Sequence, residues 1–325
     1  MAELPLESIR HAIAEQNAAW EVRESQMTEL LPDQQARRLG VIRDDKNLAE
    51  LRKRAEPNLS RLIVESAVAR LSDKVRVDPA GLEKDVASLI DFRRVAARLK
   101  HYGPVFPCWC WLKEVDWRDR CGIHGVTPIR DQAGCGSCVS FGSTATVESM
   151  VIIEHDIRTD LSEAELLFCG GGSCGGWWPT GAVTYIKNSG VSHEECFPYH
   201  DHNMPCHTCC RRDAEAITIR SDAVLFDVDQ RKDYLFWVGP MIAVFAVFYD
   251  FFGYGNGVYS HVTGNLAGYH CVEVIGYNDN ESCWLCKNSW GPGWGDQGFF
   301  RIAYGQCEID TSFPFWGVSG TRWFA

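Results

Sequence analysis

Gln132-Ala133-Gly134-Cys135-Gly136-Ser137-Cys138-Val139-Ser140-Phe141 is a loop rich in small residues that runs into a long stretch without proline. From Val139 to His155 the apolar positions Val139, Phe141, Ala145, Val147, Met150, Val151 and Ile152 predict a mostly buried helix. Cys138 then falls in its first turn, where unpaired N–H groups and the helix dipole favour an anion. A thiol reacts as its thiolate, so this position suits a nucleophile. Just upstream, Gln132 is placed to turn its amide N–H toward an oxyanion forming beside the sulfur.

Two further residues stand at telling distances. Cys138 to His270 is 132 positions and Cys138 to Asn288 is 150, the downstream separations expected of a Cys-His-Asn peptidase with a Cys-Gly-Ser-Cys nucleophile segment. Around them lie Val115-Asp116-Trp117-Arg118, Val126-Thr127-Pro128-Ile129, Gly175-Gly176-Trp177, Gly257-Val258-Tyr259-Ser260-His261-Val262-Thr263-Gly264, Lys287-Asn288-Ser289-Trp290-Gly291 and Trp294-Gly295-Asp296-Gln297-Gly298-Phe299-Phe300. With these motifs, residues 112–318 resemble the papain-like cysteine proteases, most closely the cathepsin B group.

That resemblance implies an α+β, two-lobed papain-like fold, with Cys138 on the central helix of a helical lobe and a barrel-like sheet as the other lobe. It implies Cys138 as nucleophile, His270 as its proton partner, Asn288 orienting the imidazole, and Gln132 with the Cys138 N–H holding the oxyanion. Trp290 and Trp294 resemble aromatics that shield the pair. Gly175 and Gly176 match a glycine pair that binds an extended peptide through its backbone. Trp177, Trp178 and Pro179 would wall a side-chain pocket, and Asp310 in Cys307-Glu308-Ile309-Asp310 would supply a carboxylate at its floor. Cys135 and Cys174 match the family's disulfide beside the nucleophile.

Departures from the family pattern lie close to the chemistry. Val139 replaces the aromatic that follows the nucleophile, which should widen the leaving-group side, and Cys271 follows His270 where alanine is usual. Cys196-Phe197-Pro198-Tyr199, then His200, Asp201 and His202, resemble the start of an occluding loop that lacks its adjacent His pair.

The 325 residues, 46% of them hydrophobic, suffice for a large core. Residues 1–107 carry 18 Lys and Arg against 17 Asp and Glu, while 108–325 carry 14 against 26. An acidic catalytic part argues against a nucleic-acid partner, which needs a basic stripe. All fifteen cysteines fall at or beyond Cys108. An odd count fits one free thiol and up to seven disulfides, hence an oxidising compartment, secreted or lysosome- or vacuole-like. No signal peptide is visible at Met1-Ala2-Glu3-Leu4-Pro5, and the longest apolar run, Val238 to Tyr249, is too short to span a bilayer and reads as a core strand. No metal site or cofactor is expected, since Cys206-His207-Thr208-Cys209-Cys210 has no second ligand pair at zinc-finger spacing.

The chain divides at Tyr102-Gly103-Pro104-Val105-Phe106-Pro107, giving a helical segment 1–107 and a catalytic part 108–325. Within the first, Leu6, Ile9, Ile13 and Trp20 have near-helical spacing, and a second helix is predicted from an Asp33 cap to Gly40. Asn17-Ala18-Ala19-Trp20 and Arg38-Leu39-Gly40 resemble elements of an inhibitory propeptide, so 1–40 is propeptide-like. Residues 41–101 form an extra helical stretch, with Leu59, Leu62, Ile63 and then Leu82, Val86, Leu89 and Ile90 on its faces and Asp78-Pro79 as a cap. In the catalytic part a second helix is predicted at Leu161–Leu167, capped by Ser162, and strands dominate from Ala216. The expectation is a monomeric cysteine endopeptidase of cathepsin B type, synthesised as a zymogen and inhibited by its own N-terminal segment. Its partners would be peptide and protein substrates, without nucleic acid or membrane. A peptide ligase or acyltransferase on the same scaffold is the alternative.

Overall fold

The computed structural model describes residues 4–54, 59, 61–63, 113–120, 122–209 and 211–323. The linker at 102–107, the cap at Asp78-Pro79, the apolar faces at 82–90, and Cys108, Cys110, Cys121 and Cys210 lie outside them.

In the N-terminal segment, α1 (Leu6–Gln16) stops where Asn17 turns into the left-handed region, φ 50°. Trp20 therefore lies not on a helix continuing to residue 20, as its spacing suggests, but on strand β1 (Trp20–Val22). The next helix, α2 (Pro32–Ala36), is capped at Leu31 rather than Asp33. Pro32 fits its first turn because that position needs no N–H donor. After Gly40 comes α3 (Asp45–Leu51), whose cap Asp44 accepts from the Asn47 N–H at 2.8 Å.

The catalytic part starts with β2 (Glu114–Asp116) and then α4 (Cys138–His155), α5 (Glu163–Gly170) and α6 (Pro179–Ser189). As the sequence predicts, Ser162 caps α5 by accepting from the Glu165 N–H at 2.9 Å. Helix α4 is buried over nearly its whole length. Its apolar residues face several neighbours at once, which explains the lack of a polar stripe in its sequence. After a single turn, α7 (Arg212–Glu215), the chain enters the sheet lobe: β3 (Ile217–Leu225), α8 (Val228–Trp237), β4 (Met241–Phe248), β5 (Tyr254–Tyr259), β6 (Leu266–Asn278), β7 (Cys283–Lys287), β8 (Phe299–Ala303) and β9 (Phe315–Trp323).

The strands run β1-β5-β8-β7-β6-β4-β9-β3, with β2 added on β6. Among the described strands only the β5–β8 pair is parallel. Strand β1 of the N-terminal segment extends the sheet by pairing antiparallel with β5, Trp20 opposite Gly257. Gly257 sits at φ 96°, and a Cβ there would stand 2.4 Å from the Ala19 carbonyl oxygen, so only glycine lets the two backbones meet this closely. The Trp20 ring is buried between Tyr254 and Tyr259, and its Nε1 donates to the Ser260 carbonyl at 3.0 Å.

Arg231 on α8 is fully buried. Its guanidinium donates to the carbonyls of Leu225, Phe226, Asp310 and Phe313 at 2.9–3.0 Å. It thereby ties the loop at 310–313 to the body of the sheet lobe. Arg231→Met would orphan four carbonyl groups. We expect a loss of about 3 kcal/mol of stability, read as a lowered midpoint in urea with an unchanged slope.

Candidate active site

Two constraints place Cys138 at the start of α4. The Cys135–Cys174 disulfide clamps the preceding loop to the loop before α6, and the Gly136 N–H donates to the Cys174 carbonyl at 3.0 Å. One turn into the helix, Gly142 lets β6 approach: a Cβ there would come within 3.1 Å of Cys271 Sγ. Backbone N–H groups of Cys271, Gly40, Val139 and Cys138 itself favour the thiolate at Cys138.

His270 lies on β6, opposite Phe245 of β4. Its Nε2 is 2.8 Å from Asn288 Oδ1. With an amide oxygen as acceptor, Nε2 carries the proton and Nδ1 is left as the free base. Nδ1 is buried and has no hydrogen-bond partner among the described residues. The Trp290 ring covers the imidazole at 4.8 Å. Gln132 completes the group. Its side-chain N–H donates to the carbonyls of Cys135, at 2.9 Å, and Arg38, at 3.0 Å, while its Oε1 accepts from Ser289 Oγ.

Arg38 belongs to the N-terminal segment, which runs through the cleft. Its side chain pairs with Asp131 at 2.7 Å. At Gly40 the segment touches the catalytic part backbone to backbone: the Trp177 N–H donates to the Gly40 carbonyl at 2.7 Å, and the Ile42 N–H to the Trp177 carbonyl at 3.0 Å. Val41 and Trp177 bridge in parallel, and the Val41 N–H donates to the Tyr269 carbonyl. Further on, Asn47 of α3 accepts from Trp178 Nε1 and Thr180 Oγ1. Arg52 reaches the Ser312 carbonyl at 2.8 Å. The stretch just beyond residue 40 therefore lies on the catalytic part as closely as the stretch before it.

Under this cover neither member of the Cys–His pair is charged. Burial pushes the Cys138 thiol up to about 12, against the pull of the four backbone N–H groups. Burial also holds His270 down at about 4, opposed by its bond to Asn288. The ordinary imidazole value is about 6.5. A proton is thus excluded when the cleft closes, so acidification from about 6.5 toward 4 favours the open form.

The carboxylates behind the site have the opposite sign. Burial raises Glu148 to about 7, against Lys287, and Glu194 to about 7, against the Tyr199 N–H. Glu163 and Glu273 are raised by the same cause. Groups raised in the folded state stabilise it fully below their unfolded value, about 4.5, and lose that contribution as pH rises through 7. The expected outcome is a melting temperature higher at pH 5 than at pH 7.5, together with faster alkylation of Cys138 in the full chain at pH 5 than at pH 6.5.

Several expected site residues lie elsewhere. Asp310 is buried, and its carboxylate accepts from Trp284 Nε1 at 2.9 Å and from the Gly305 N–H at 2.8 Å. It holds its own loop instead. The Trp177 ring lies against Gly170, Gly172 and Gly181, where added Cβ atoms would come within 2.4–3.0 Å of it. Its backbone meets the cleft, whereas the neighbouring Trp178 ring faces Phe313 and Trp316. A Cβ on Gly176, φ 117°, would hit the Gly40 carbonyl oxygen at 2.6 Å, while Gly175 is exposed beside Ser173. Disulfides also join Cys169 to Cys206 and Cys196 to Cys209. Among the described residues Cys138, Cys271, Cys283, Cys286 and Cys307 are free and buried, so seven disulfides cannot form.

Sequence reasoning missed Tyr199, Tyr269, Glu308 and Phe313. Tyr199 Oη lies 2.7 Å from Ser137 Oγ and donates to the Gln132 carbonyl, bracing the loop before Cys138. His200 and His202 follow it as a stacked pair with ring centres 5.8 Å apart. Among the described residues no cluster of three metal-ligating side chains occurs, and no helix is long and apolar enough to cross a membrane.

Comparison with known proteins agrees with this geometry. Residues 112–315 match the papain family cysteine protease domain. Over 202 residues the chain is 35% identical to digestive cysteine proteinase 3 of Homarus americanus, covering 58% of this chain and 61% of that protein. Over 204 residues it is 31% identical to cathepsin B-like CP2 of Giardia intestinalis, covering 58% and 68%. The chain thus spans only part of the length of the curated relatives it matches. In fold it is similar to proCathepsin B S9 from Trypanosoma congolense, with a TM-score of 0.70, 20% identity, and coverage of 98% of this chain and 99% of that one.

Proposed function

The chain belongs to the papain family of cysteine proteases, and from that premise we propose that it is a cysteine endopeptidase of cathepsin B type, held latent by its own N-terminal segment. The carrying observation is that the segment's Arg38 carbonyl takes the Gln132 amide N–H and its Gly40 carbonyl takes the Trp177 N–H, in a chain whose His270 bonds Asn288 through Nε2 and keeps a buried Nδ1 without a partner among the described residues.

With the segment gone, water reaches the pair and the burial that keeps both groups neutral is relieved. Cys138 gives its proton to His270 Nδ1, and the sulfur attacks a peptide carbonyl. The charge that develops on the carbonyl oxygen is met by the Gln132 side-chain N–H and the Cys138 backbone N–H. Asn288 holds the imidazolium through Nε2 while His270 returns the proton to the leaving amine. Water then attacks the thioester, His270 takes its proton, and release of the acid restores the thiol.

The segment is a poor substrate for a geometric reason. It offers the Cys138 sulfur the N–H of Gly40, while the Gly40 carbonyl is turned away to the Trp177 N–H. Meanwhile the Arg38 carbonyl engages the Gln132 donor that an oxyanion would need. Such a segment occupies the cleft without being cut there.

The test is hydrolysis of peptidyl coumarin amides by the full chain and by the same chain cut between residues 101 and 107. The proposal expects turnover only after cutting. Equal turnover in both forms would remove the latency. Products joined to an added amine, with none formed by water, would replace the endopeptidase by an acyltransferase.

A further inference from the structure

Tyr199 stands in the loop between α6 and α7, far in sequence from Cys138, yet its side chain meets the chain on both sides of that residue. Its hydroxyl donates to the Gln132 carbonyl at 2.9 Å and lies 2.7 Å from Ser137 Oγ. Its ring meets Phe141, almost one helical turn past Cys138, edge-on with centres 4.9 Å apart. A phenol has one proton to give. Since that proton goes to Gln132, the Ser137 hydroxyl donates to Tyr199; its other acceptor, the Cys135 carbonyl, is more distant at 3.4 Å. Ser137 immediately precedes α4, where a serine ordinarily accepts from a backbone N–H of the first turn. Its side chain makes no such cap. The hydroxyl is turned to Tyr199 instead.

The Gln132 carbonyl is a point where the loop needs holding. Ala133, next in the chain, lies in the left-handed region at φ 48°, a conformation disfavoured for a residue with a Cβ. Rotation of the peptide group between the two would relieve it and swing Gln132. Two bonds resist that rotation: Tyr199 holds the Gln132 carbonyl, and Asp131 Oδ1 accepts from the Ala133 N–H at 2.8 Å. Ser289 holds the rest of Gln132 from the sheet lobe. Its carbonyl accepts from the Gln132 N–H at 2.9 Å, and its hydroxyl donates to Gln132 Oε1 at 2.7 Å.

Tyr199 is itself anchored. Its N–H donates to Glu194 Oε1 at 2.6 Å, and the Cys196–Cys209 disulfide closes the loop that carries it. Further along that loop, Asp201 and Asn203 accept from the N–H groups of Gly134 and Cys174, at 3.4 and 2.8 Å. Burial pushes the phenol above its ordinary value, so the hydroxyl keeps its proton at neutral and acid pH.

We propose that Tyr199 is a positioning residue of the oxyanion site, holding the Gln132 peptide and Ser137 so that the Gln132 side-chain N–H and the Cys138 backbone N–H converge on one substrate oxygen. The proposal deepens the endopeptidase reading and rests on it for the reaction. In the latent chain the Gln132 amide donates to the carbonyls of Cys135 and Arg38. Departure of Arg38 frees one of its two protons for the substrate, while the other keeps the amide oriented. A donor of this kind contributes only when it sits where the charge develops. Tyr199 acts through Gln132 and Ser137. Its loss should slow the steps that pass through an oxyanion and spare those that do not.

The test compares the parent with Tyr199→Phe, each folded as the full chain and then cut between residues 101 and 107. Phenylalanine keeps the ring against Phe141 and removes only the hydroxyl. For a peptidyl coumarin amide, kcat in the variant should fall about tenfold or more while KM stays within about twofold, the pattern of an interaction made in the transition state. A peptide aldehyde adds to the Cys138 thiol and leaves its oxygen in the same site, so its binding should weaken by a similar factor. Alkylation of Cys138 by iodoacetamide forms no oxyanion. Its rate and its pH profile should be unchanged.

An unaltered kcat and aldehyde affinity would overturn the proposal. So would a loss shared equally by alkylation, since Tyr199 would then hold the fold or the sulfur rather than the oxyanion donors. A parent that cuts no peptide yet binds the aldehyde would remove the endopeptidase reading, and the aldehyde comparison alone would then decide the role of Tyr199. A parent that does neither has no oxyanion site to position, and both readings fall.

Discussion

Replacing Cys138 with alanine is expected to lower peptide hydrolysis by the cut chain by a factor on the order of 10⁴ or more. The size follows from what surrounds the sulfur. His270 Nδ1 is a buried base without a partner among the described residues, and the Gln132 amide N–H holds the Cys135 carbonyl of the loop that precedes Cys138. With the sulfur gone, both groups remain but no acyl enzyme forms. Cys271 offers no substitute although it is the next residue on β6. Its thiol packs against Gly142 of α4, and burial first, then the neighbouring Cys138, holds it far above the ordinary thiol value. The variant should fold, because alanine keeps the helix start and the Cys135–Cys174 bridge stays. A peptidyl coumarin assay on parent and variant, both cut, reads the effect. A variant that keeps a tenth of the parent's activity would mean that another group performs the attack.

Placing a side chain at position 40 should have the second largest effect, in the opposite direction. A Cβ on Gly40 would stand 1.8 Å from the Gly136 carbonyl oxygen and 2.3 Å from its carbon. Those are backbone atoms in a loop clamped by the Cys135–Cys174 disulfide, so they cannot yield. The segment must lift instead. It would then forfeit the bonds of Arg38 to Gln132, of Gly40 to Trp177 and of Ile42 to Trp177. Three hydrogen bonds at about 1 kcal/mol each amount to about a hundredfold larger open population. Gly40→Val should therefore raise the activity of the uncut chain about a hundredfold and leave the cut chain unchanged, since residue 40 has then departed. An uncut Gly40→Val chain as silent as the parent would show that Gly40 does not set the closure.

Much of this arrangement was legible in the sequence, for identifiable reasons. Helix α4 declared itself by its apolar pattern and the small residues before it. His270 and Asn288, eighteen positions apart, meet because β6 and the end of β7 are neighbours in the sheet. What the sequence concealed depends on contacts between distant segments. Trp20 has helical spacing but lies on a strand, because a left-handed turn at Asn17 and an open sheet edge at β5 outweigh local periodicity. Helix α8 lies among apolar strands and presents Arg231 to the core, a residue that on its own signals a surface. Asp310 and Glu308 stand two apart, and only the fold shows the partners of each. Asp310 is consumed by Trp284 and Gly305, while a left-handed backbone turns Glu308 outward to Arg43. Backbone sign at a non-glycine residue is not written in a sequence.

The central claim is that a competent nucleophile at Cys138 is covered by the chain's own N-terminal segment, and its most direct test is the rate of Cys138 alkylation by a peptidyl epoxide. The measurement compares the full chain with the same chain cut between residues 101 and 107, at pH 5.5, with the modified residue identified by mass spectrometry. Fast, single-site modification of Cys138 after cutting, and modification slower by about a hundredfold or more before it, is the predicted result. Equal rates before and after cutting, or a Cys138 inert in both forms, would contradict it.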